Sequence, residues 1–274
     1  MQMKISAFTM CRNADKLYYP IKQSILSALP LVDEIVVAIG KSDEDDRTLE
    51  IVKSIDSDKI KIIETDWDVN AFPNGTVHAQ QTDLAKSHCS GDWLLYLQAD
   101  EVLHEQDHQE IKAACERHLV DTNIEGFLFQ YHHFWGDYDH VVRSHGWYNE
   151  EIRIIRNIPE IHSWQSAQSF RYIPNFDGKS YRSKKGTRKL KVKKLNATIY
   201  HYGWVRPPKV MTEKMNAMDK NHSHKLTQYQ NEFDFGDMGK LSQFDASHPK
   251  VMRERMNILN WSEDLNFSSR PLER

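Results

Sequence analysis

The sequence predicts an α/β fold with a mainly parallel, three-layer sheet, and two observations support this. First, short runs rich in apolar residues lie at residues 5–10, 35–40, 60–63 and 93–97, and those at 35–40 and 93–97 are continuously apolar, as expected of strands that are covered on both faces. Second, helical periodicity fills the segments between them, at residues 13–29, 48–55 and 76–87. Strands and helices that alternate in this way form parallel sheets with right-handed crossovers.

Each of these elements has a local signal. The first helix carries apolar residues at helical spacing and ends before Pro30. The second strand ends at Gly40, and an acidic loop at residues 41–47 leads into the second helix. The turn pair Asn74-Gly75 precedes the third helix. Local sequence signals therefore mark where several of these helices and strands begin or end within the first hundred residues.

Beyond residue 103 the pattern changes to a mixture of helices, strands and loops. A helix is predicted at residues 105–119, and strands are predicted at residues 126–131, 151–156 and 195–200. An aromatic and histidine-rich loop is predicted at residues 132–148, and nine Lys or Arg side chains lie within residues 179–194. From residue 207 the chain is predicted to form a helix, a polar linker and a second short helix near Pro249.

The composition, with 39% hydrophobic and 27% charged residues, is that of an ordinary soluble globular protein. The 274 residues carry a net charge of −3, which gives no overall attraction to nucleic acid or to a membrane. Cys11, Cys89 and Cys115 form no Cys-x-x-Cys pair, and their odd number favours a reducing compartment. No signal region and no apolar run of about 18 residues is present. We therefore expect a cytoplasmic protein.

Polar residues follow the predicted strands at their carboxyl ends. Arg12 and Asn13 follow the first strand, Ser42 follows the second and Asp100 follows the fourth. The last predicted strand leads into residues 201–206, His-Tyr-Gly-Trp-Val-Arg. Ligands of open α/β sheets bind at the edge where these carboxyl ends meet. A nucleotide-shaped ligand is the natural expectation for such an edge.

Three motifs resemble the family 2 glycosyltransferases. They are Thr9-Met10-Cys11-Arg12-Asn13, the run Val-Asp-Glu-Ile-Val-Val at residues 32–37, and the segment from Gly91-Asp92-Trp93 to Asp100-Glu101. The resemblance covers about residues 4–103 and extends more loosely to residues 151–162 and 201–204. It implies the GT-A fold, a Rossmann-like sheet of nucleotide-diphospho-sugar transferases, together with a nucleotide-sugar donor and transfer that is usually inverting.

The resemblance also implies a domain organisation and an activity. Residues 1–205 would form the GT-A domain, with a nucleotide-binding half at 1–103 and an acceptor half at 104–205, and residues 206–274 would form a helical C-terminal extension. The protein would be a hexosyltransferase-like enzyme that moves a sugar to a glycan, lipid-linked or small-molecule acceptor. Mg²⁺ or Mn²⁺ would be its metal cofactor, and nucleic acid is not expected as a partner.

Two positions depart from the family pattern. The family's metal motif is Asp-x-Asp, and here it is Gln98-Ala99-Asp100, so that Asp100 matches the last position and Gln98 replaces the first. The family's second strand often ends in an Asp that contacts uracil, whereas this strand ends in Gly40. The identity of the base is therefore open, and an aspartate of the loop at residues 41–47 is a possible substitute.

The chemistry of the reaction suggests a role for each candidate. A departing nucleoside diphosphate gains negative charge, which a divalent cation and cationic side chains stabilise. Asp100 and His201 are the candidate metal ligands, and Arg153 and Arg206 are candidates for a phosphate clamp. Inverting transfer needs a carboxylate base, for which Glu151 is preferred over Glu150 and Asp137. The candidates for donor binding are Thr9, Arg12, Asn13, Ser42, Gln81, Gln98, Asp100, Arg153 and Arg206.

Three alternatives stay open at this point. A nucleotidyltransferase would need a glycine-rich phosphate loop, and residues 9–16 contain no Gly. A non-catalytic nucleotide- or sugar-binding protein on the same scaffold is compatible with Gln98. Residues 104–108, His-Glu-Gln-Asp-His, match the metalloprotease pattern that places two imidazoles on one helical face, but their polar middle favours an exposed helix start.

The basic segment at residues 179–194 is predicted to lie on the surface of the protein. It carries no nucleic-acid-binding motif, and a solvated loop is the simplest interpretation. Contact with a polyanionic or lipid-linked acceptor, or peripheral contact with an anionic membrane, is the second interpretation.

Overall fold

The computed structural model describes residues 2–143, 146–222, 229 and 231–267. The strands are β1 (Ile5–Cys11), β2 (Glu34–Gly40), β3 (Ile60–Thr65), β4 (Trp93–Tyr96), β5 (Glu101–Leu103), β6 (Gly126–Trp135), β7 (His140–Val142), β8 (Glu150–Arg156), β9 (Ile161–Trp164), β10 (Ser169–Tyr172), β11 (Arg188–Lys189), β12 (Val192–Trp204) and β13 (Ser242–Gln243). The α-helices are α1 (Ile21–Ala28), α2 (Thr48–Lys53), α3 (Thr76–Ser87), α4 (His108–Arg117), α5 (Pro208–His222) and α6 (Arg253–Met256).

The main sheet contains ten of these strands, and its topology gathers several strand ends at one edge. β3, β2, β1 and β4 lie side by side and are parallel. β8 runs antiparallel between β4 and β6, so β6 and its parallel neighbour β12 run in the same direction as the first four strands. The carboxyl ends of β1, β2, β4 and β12 therefore point to the same side. The predicted α/β fold with a mixed, mainly parallel sheet is confirmed.

The parallel strands separate two hydrophobic cores, which makes the domain three-layered. On one face, Ala7 of β1 and Val37 of β2 pack in the same core as Ile25 of α1. On the other face, Phe8 of β1 packs in the same core as Ala85 of α3. Neighbouring residues of a strand point to opposite faces, so the continuous apolar runs of the sequence supply both cores.

The first helix is shorter than predicted. We expected it at residues 13–29, but α1 begins at Ile21. Asn13 and Tyr18 have φ angles of 53° and 59°, in a left-handed region that a right-handed helix cannot contain. The side-chain oxygen of Thr48 accepts a hydrogen bond from the backbone N–H of Ala14 at 2.7 Å, which holds this segment in turns. Long-range contacts therefore override the helical periodicity.

Two strands are longer than predicted, and part of the predicted loop at residues 132–148 belongs to β6 and β7. β6 continues to Trp135, and β12 continues to Trp204. Aromatic stacking between these two strands accounts for the extension, since the rings of Phe134 and Tyr202 lie 4.7 Å apart and nearly parallel. His201 consequently lies within β12, and not beyond the end of the last strand as expected.

The C-terminal segment packs against the β6–β12 end of the sheet. Met211 of α5, Met238 and Trp261 share a core with Tyr202. Trp261 also donates a hydrogen bond from its indole nitrogen to the carbonyl of Gly136 at 2.9 Å. Within the predicted extension at residues 206–274, residues 223–228, 230 and 268–274 lie outside the described residues. None of the described helices has the length and apolarity needed to cross a lipid bilayer.

Candidate active site

A cavity of about 330 Å³ opens at the carboxyl edge of the parallel strands. Its charged lining residues come from separate parts of the chain, namely Arg12 after β1, Asp100 after β4 and Lys214 in α5. Further polar lining residues are His78, Gln98, Ser166, Gln168 and His201. Aromatic side chains form much of the remaining wall, and they are Tyr19, Trp67, Tyr148 and Trp204. A polar floor with aromatic walls is typical of a small-molecule binding site.

Asp100 is a buried carboxylate on the floor of this cavity. It lies in the turn between β4 and β5, where its backbone carbonyl accepts a hydrogen bond from Tyr202 at 2.8 Å. Burial alone would raise the pKa of Asp100, but the nearby His201, Lys214 and Arg206 outweigh it and hold that pKa well below its ordinary value. Asp100 is therefore a carboxylate that stays ionised although only 6% of it is exposed.

The hydrogen bonds around His201 leave its Nε2 atom facing Asp100. His133 contacts the carbonyl of Tyr148 through Nε2 at 2.8 Å and contacts Nδ1 of His201 through its own Nδ1 at 2.9 Å. Because a carbonyl only accepts, His133 donates from Nε2, and its Nδ1 must accept from His201. Burial is the main cause that lowers the pKa of His133 to about 3, so His133 is neutral.

In its neutral form, His201 carries its proton on Nδ1 and a lone pair on Nε2, whereas its protonated form, whose charge lowers the pKa of Asp100, donates from both nitrogens. This Nε2 atom lies 3.7 Å from Oδ2 of Asp100. An imidazole whose other nitrogen donates to a neighbour is the usual arrangement of a histidine that binds a metal. The tautomer is assigned here from the hydrogen bonds.

Gly203 keeps the space between these two atoms open. A Cβ atom at Gly203 would lie 2.6 Å from Oδ2 of Asp100 and 2.6 Å from Nε2 of His201. The carboxylate and the imidazole thus converge on a space that a side chain at this position would fill.

Lys214 brings a buried ammonium group to the same cavity. Its Nζ atom donates to the carbonyl of Gly203 and lies 4.0 Å from Oδ2 of Asp100. The rings of Tyr19 and Trp204 flank it, with their centres 5.3 and 5.2 Å from Nζ. Burial lowers the pKa of Lys214 to about 7, and the charge of Arg206 is the second cause of this shift.

Four of the predicted site residues meet in the cavity: Arg12, Gln98, Asp100 and His201. Arg12 is half-buried, and its buried Nε atom has no partner among the residues that the structure describes. The amide of Gln98 donates to the carbonyl of Ala167 at 3.0 Å, which holds it against the loop between β9 and β10.

Thr9, Asn13 and Ser42 lie close by but do not line the cavity. The backbone N–H of Asn13 donates to the hydroxyl of Ser42 at 3.0 Å, so these residues tie together the loops after β1 and β2. Ser42 lines a second, neighbouring cavity of about 460 Å³ that also contains Asp43 and Asp46. The hydroxyl of Thr9 is buried and has no partner within the described ranges.

The structure does not bring Arg153 and Gln81 to the cavity. The guanidinium of Arg153 forms two hydrogen bonds of 2.7 Å to the carboxylate of Glu101, and neither side chain is exposed. Tyr131 donates to the same carboxylate at 2.8 Å. Gln81 contacts Thr65 at 2.6 Å and braces the end of β3. Arg153 is therefore part of the buried core, and its guanidinium does not face the cavity as the expected phosphate clamp would.

Arg206 lies directly behind the cavity wall. Its terminal nitrogens donate to the carbonyls of Leu17 and Gly203, and its guanidinium lies 4.5 Å from the ring centre of Tyr19. Because the Tyr19 ring lines the cavity and Arg206 does not, this guanidinium acts on the site through its charge and has no direct access to a ligand.

The three candidate bases also lie outside the cavity lining. Asp137 accepts three hydrogen bonds of 2.9 Å within the turn after β6, from Asp139 and His140. Glu150 forms an ion pair with Lys194. Glu151 is half-buried, and burial raises its pKa. Glu151 lies near Tyr148, a lining residue, since its charge contributes to the raised pKa of that phenol.

The metalloprotease pattern at residues 104–108 does not form a zinc site. His104 precedes the 3-10 turn Glu105–Asp107, whereas His108 begins α4, so the two imidazoles do not share one α-helical face. His104 contacts the hydroxyl of Ser247 at 3.1 Å. No group of three or more metal-binding side chains occurs among the described residues.

The sequence interpretation did not place Lys214 or Trp67 in the site, and it did not predict the contact between His133 and His201. Lys214 had a detectable signal, because it follows Met211 by three residues and precedes Met218 by four, which places a cation on the apolar face of a helix. Trp67 packs on Gly40, where a Cβ atom would lie 2.3 Å from the indole nitrogen. This contact leaves no room for a side chain at the end of β2 unless Trp67 moves.

Comparison with known proteins found similarity to solved structures and no match in sequence to a family model or a curated protein. A crystal structure of Staphylococcus aureus TarS is similar with a TM-score of 0.45 and 16% identity, over 80% of this chain and 39% of that chain. TarS 1–349 in complex with UDP-GlcNAc gives a TM-score of 0.42 and 15% identity, over 80% and 66%. The chain thus spans less than two thirds of these TarS chains.

Proposed function

We propose that the protein is a glycosyltransferase of the GT-A type that moves a sugar from a nucleotide-sugar donor to an acceptor. The observation that carries this proposal is the convergence of Asp100 and His201 in one cavity at the carboxyl edge of a parallel sheet. Such edges bind nucleotides, and a carboxylate at this place suits a cation that holds phosphate. The resemblance of the motifs around Arg12 and Asp100 to family 2 glycosyltransferases supports the same function.

The residues fit a divalent cation. Asp100 and the lone pair of His201 would hold Mg²⁺ or Mn²⁺ in the space above Gly203. Two protein ligands suffice, because Mg²⁺ usually keeps water molecules and completes its coordination with substrate phosphates. When bound, such a cation would neutralise negative charge on the departing diphosphate.

The remaining residues would orient the donor and exclude water. His133 would keep the lone pair of His201 directed at the site. The guanidinium of Arg12 is suited to a phosphate oxygen. Glu151 stays our candidate for the base of an inverting transfer, since burial raises its pKa toward the range in which a carboxylate accepts a proton well.

Donor turnover tests the proposal directly. The protein is incubated with UDP-, GDP- and CDP-sugars, including UDP-GlcNAc, in the presence of Mg²⁺ or Mn²⁺, and the released nucleotide is measured. We expect release with one donor class and loss of release with EDTA. No release from any donor, together with no thermal stabilisation by any of the three nucleotides with metal, would contradict the proposal.

Gly203→Ala is expected to lower Mn²⁺ affinity by at least about tenfold, the range seen when the surroundings of a metal ligand are disturbed. The added carbon would lie 2.6 Å from both Asp100 Oδ2 and His201 Nε2, so at least one of them must move. Calorimetric titration with Mn²⁺ measures the change. Gly146→Ala is the matched control, because no atom lies within 4 Å of a Cβ there. Equal Mn²⁺ affinity of the two variants would remove the assignment of the metal to this space.

A non-catalytic nucleotide- or sugar-binding protein is the second candidate. One observation favours it, since Asp100 is the sole carboxylate among the described residues that line the cavity. Binding of a nucleotide sugar without nucleotide release, across a panel of acceptors, would support this candidate over the enzyme.

The acceptor and the location of the protein remain proposals from the sequence. We propose a cytoplasmic protein with a glycan, lipid-linked or small-molecule acceptor. Within residues 179–194, Arg188 forms an ion pair with Glu125 at 2.6 Å and Lys194 pairs with Glu150. Lys184, Lys185 and other basic side chains of this segment are exposed, which supports contact with an anionic acceptor or membrane surface.

A further inference from the structure

We propose that Lys214 binds the phosphate group of the ligand in this cavity, in the role that the sequence suggested for Arg153 and Arg206. The C-terminal helix α5 would thereby add a cation to a site whose other lining residues come from the sheet, from the loops at its edge and from α3. The identity of the ligand as a nucleotide sugar rests on the proposed function, whereas recognition of a phosphate or diphosphate anion rests on Lys214 itself.

The first reason is that two of the other candidate cations, Arg153 and Arg206, are already engaged, while Arg12 and Lys214 face the cavity. The guanidinium of Arg153 is bound by Glu101 through both Nε and a terminal nitrogen, at 2.7 Å each. Arg206 donates to two backbone carbonyls and lies behind the ring of Tyr19. Of the cavity-lining residues that the structure describes, Arg12 and Lys214 carry positive charge.

The second reason is the geometry of the ammonium group. Lys214 donates to the carbonyl of Gly203, while Oδ2 of Asp100 lies 4.0 Å away, which exceeds the length of a hydrogen bond. An ammonium group has three N–H donors. Within the described part of the chain, the bond to Gly203 therefore leaves donors for a ligand in the cavity.

The third reason is the balance of charge around the cavity floor. Lys214 and Arg206 are buried beside one carboxylate, Asp100. A buried charge without a partner is costly, so an anion that enters the cavity would supply the missing negative charge. Consistent with this excess, burial and the charge of Arg206 lower the pKa of Lys214.

The flanking rings would hold this ammonium in place. Tyr19 and Trp204 lie 5.3 and 5.2 Å from Nζ, within the range in which an aromatic face attracts a cation. The two rings would limit the movement of the long and flexible Lys214 side chain and keep its N–H groups directed at the cavity.

Binding of inorganic pyrophosphate tests the inference without knowledge of the donor. Calorimetric titration with pyrophosphate is performed on the wild-type protein, on Lys214→Met, which keeps the length of the side chain, and on Lys214→Arg, which keeps its charge. Lys209→Met is the matched control, because Lys209 is an exposed residue of the same helix. Thermal unfolding establishes that each variant is folded, and Lys214→Gln replaces Lys214→Met if the latter does not fold.

We expect Lys214→Met to weaken pyrophosphate binding at least tenfold, Lys214→Arg to keep most of it and Lys209→Met to bind as wild type does. Equal binding by Lys214→Met and wild type, or no pyrophosphate binding by wild type, would overturn the inference. Loss of pyrophosphate binding in Lys214→Met without turnover of any nucleotide sugar would uphold the anion site while the proposed function fails. Unchanged donor turnover by Lys214→Met would overturn the inference while the proposed function stands.

Discussion

Asp100→Asn is expected to lower the rate of sugar transfer by at least about 100-fold, the usual effect of removing a group that stabilises charge in a transition state. The substitution keeps the shape of the side chain but removes the one carboxylate of the described cavity lining. The buried ammonium of Lys214, 4.0 Å away, would lose its nearest negative partner. The proposed metal site would keep His201 as its one remaining protein ligand among those proposed.

Initial rates of nucleotide release and the Mn²⁺ affinity measure this effect. Glu50→Gln is a suitable control, because Glu50 is an exposed carboxylate on α2 away from the cavity. We expect the control to retain wild-type rates. An Asp100→Asn variant that keeps both its rate and its dependence on Mn²⁺ would show that the carboxylate does not serve the reaction.

Arg153→Met is expected to reduce the free energy of unfolding by about 3–5 kcal/mol, as found when one partner of a buried ion pair is removed. The Glu101 carboxylate would stay buried with Tyr131 and the backbone N–H of Gln98 as its remaining donors. Glu101 has no exposed side-chain surface, so water cannot replace the guanidinium. This is the largest effect on stability that we expect from a single substitution outside the apolar core.

Chemical denaturation measures the change in the free energy of unfolding, and two further variants test whether the unpaired Glu101 carboxylate is its cause. The double variant Arg153→Met with Glu101→Met should be less destabilised than Arg153→Met alone, because it leaves no unpaired charge. Lys194→Met removes a partly exposed partner of Glu150 and should cost less than about 1 kcal/mol. If Arg153→Met instead kept its stability and lost nucleotide affinity, the clamp role suggested by the sequence would be restored.

The sheet was predictable because its signal is local. A strand covered on both faces needs apolar side chains in both directions, and residues 35–40 and 93–97 carry that pattern without reference to the rest of the chain. The start of α1 was not predictable in this way. Left-handed backbone at Asn13 and Tyr18 depends on hydrogen bonds to distant residues such as Thr48, which leave no trace in periodicity.

Part of the candidate site follows from the same local pattern. Arg12 and Asp100 follow strands that are parallel neighbours, so their positions at the ends of apolar runs were enough to bring them together. Arg153 shows the limit of that reasoning. It stands between Ile152 and Ile154 in a strand whose two faces are both covered, and only the position of Glu101 shows that its charge is matched inside the core.

The amino-acid order alone thus accounts for the alternating α/β scaffold, for the edge at which the cavity opens and for Asp100 as the acidic residue of its lining. It names His201 as a candidate ligand but not the strand pairing that brings it to Asp100, and it does not identify Lys214. His201 reaches Asp100 because β12 pairs with β5 across nearly one hundred residues of chain, with His201 opposite Glu101. Lys214 reaches it because α5 packs over that same strand end. Such pairings depend on how distant apolar surfaces are buried together, and that information is spread over the whole chain and is not held in any one motif.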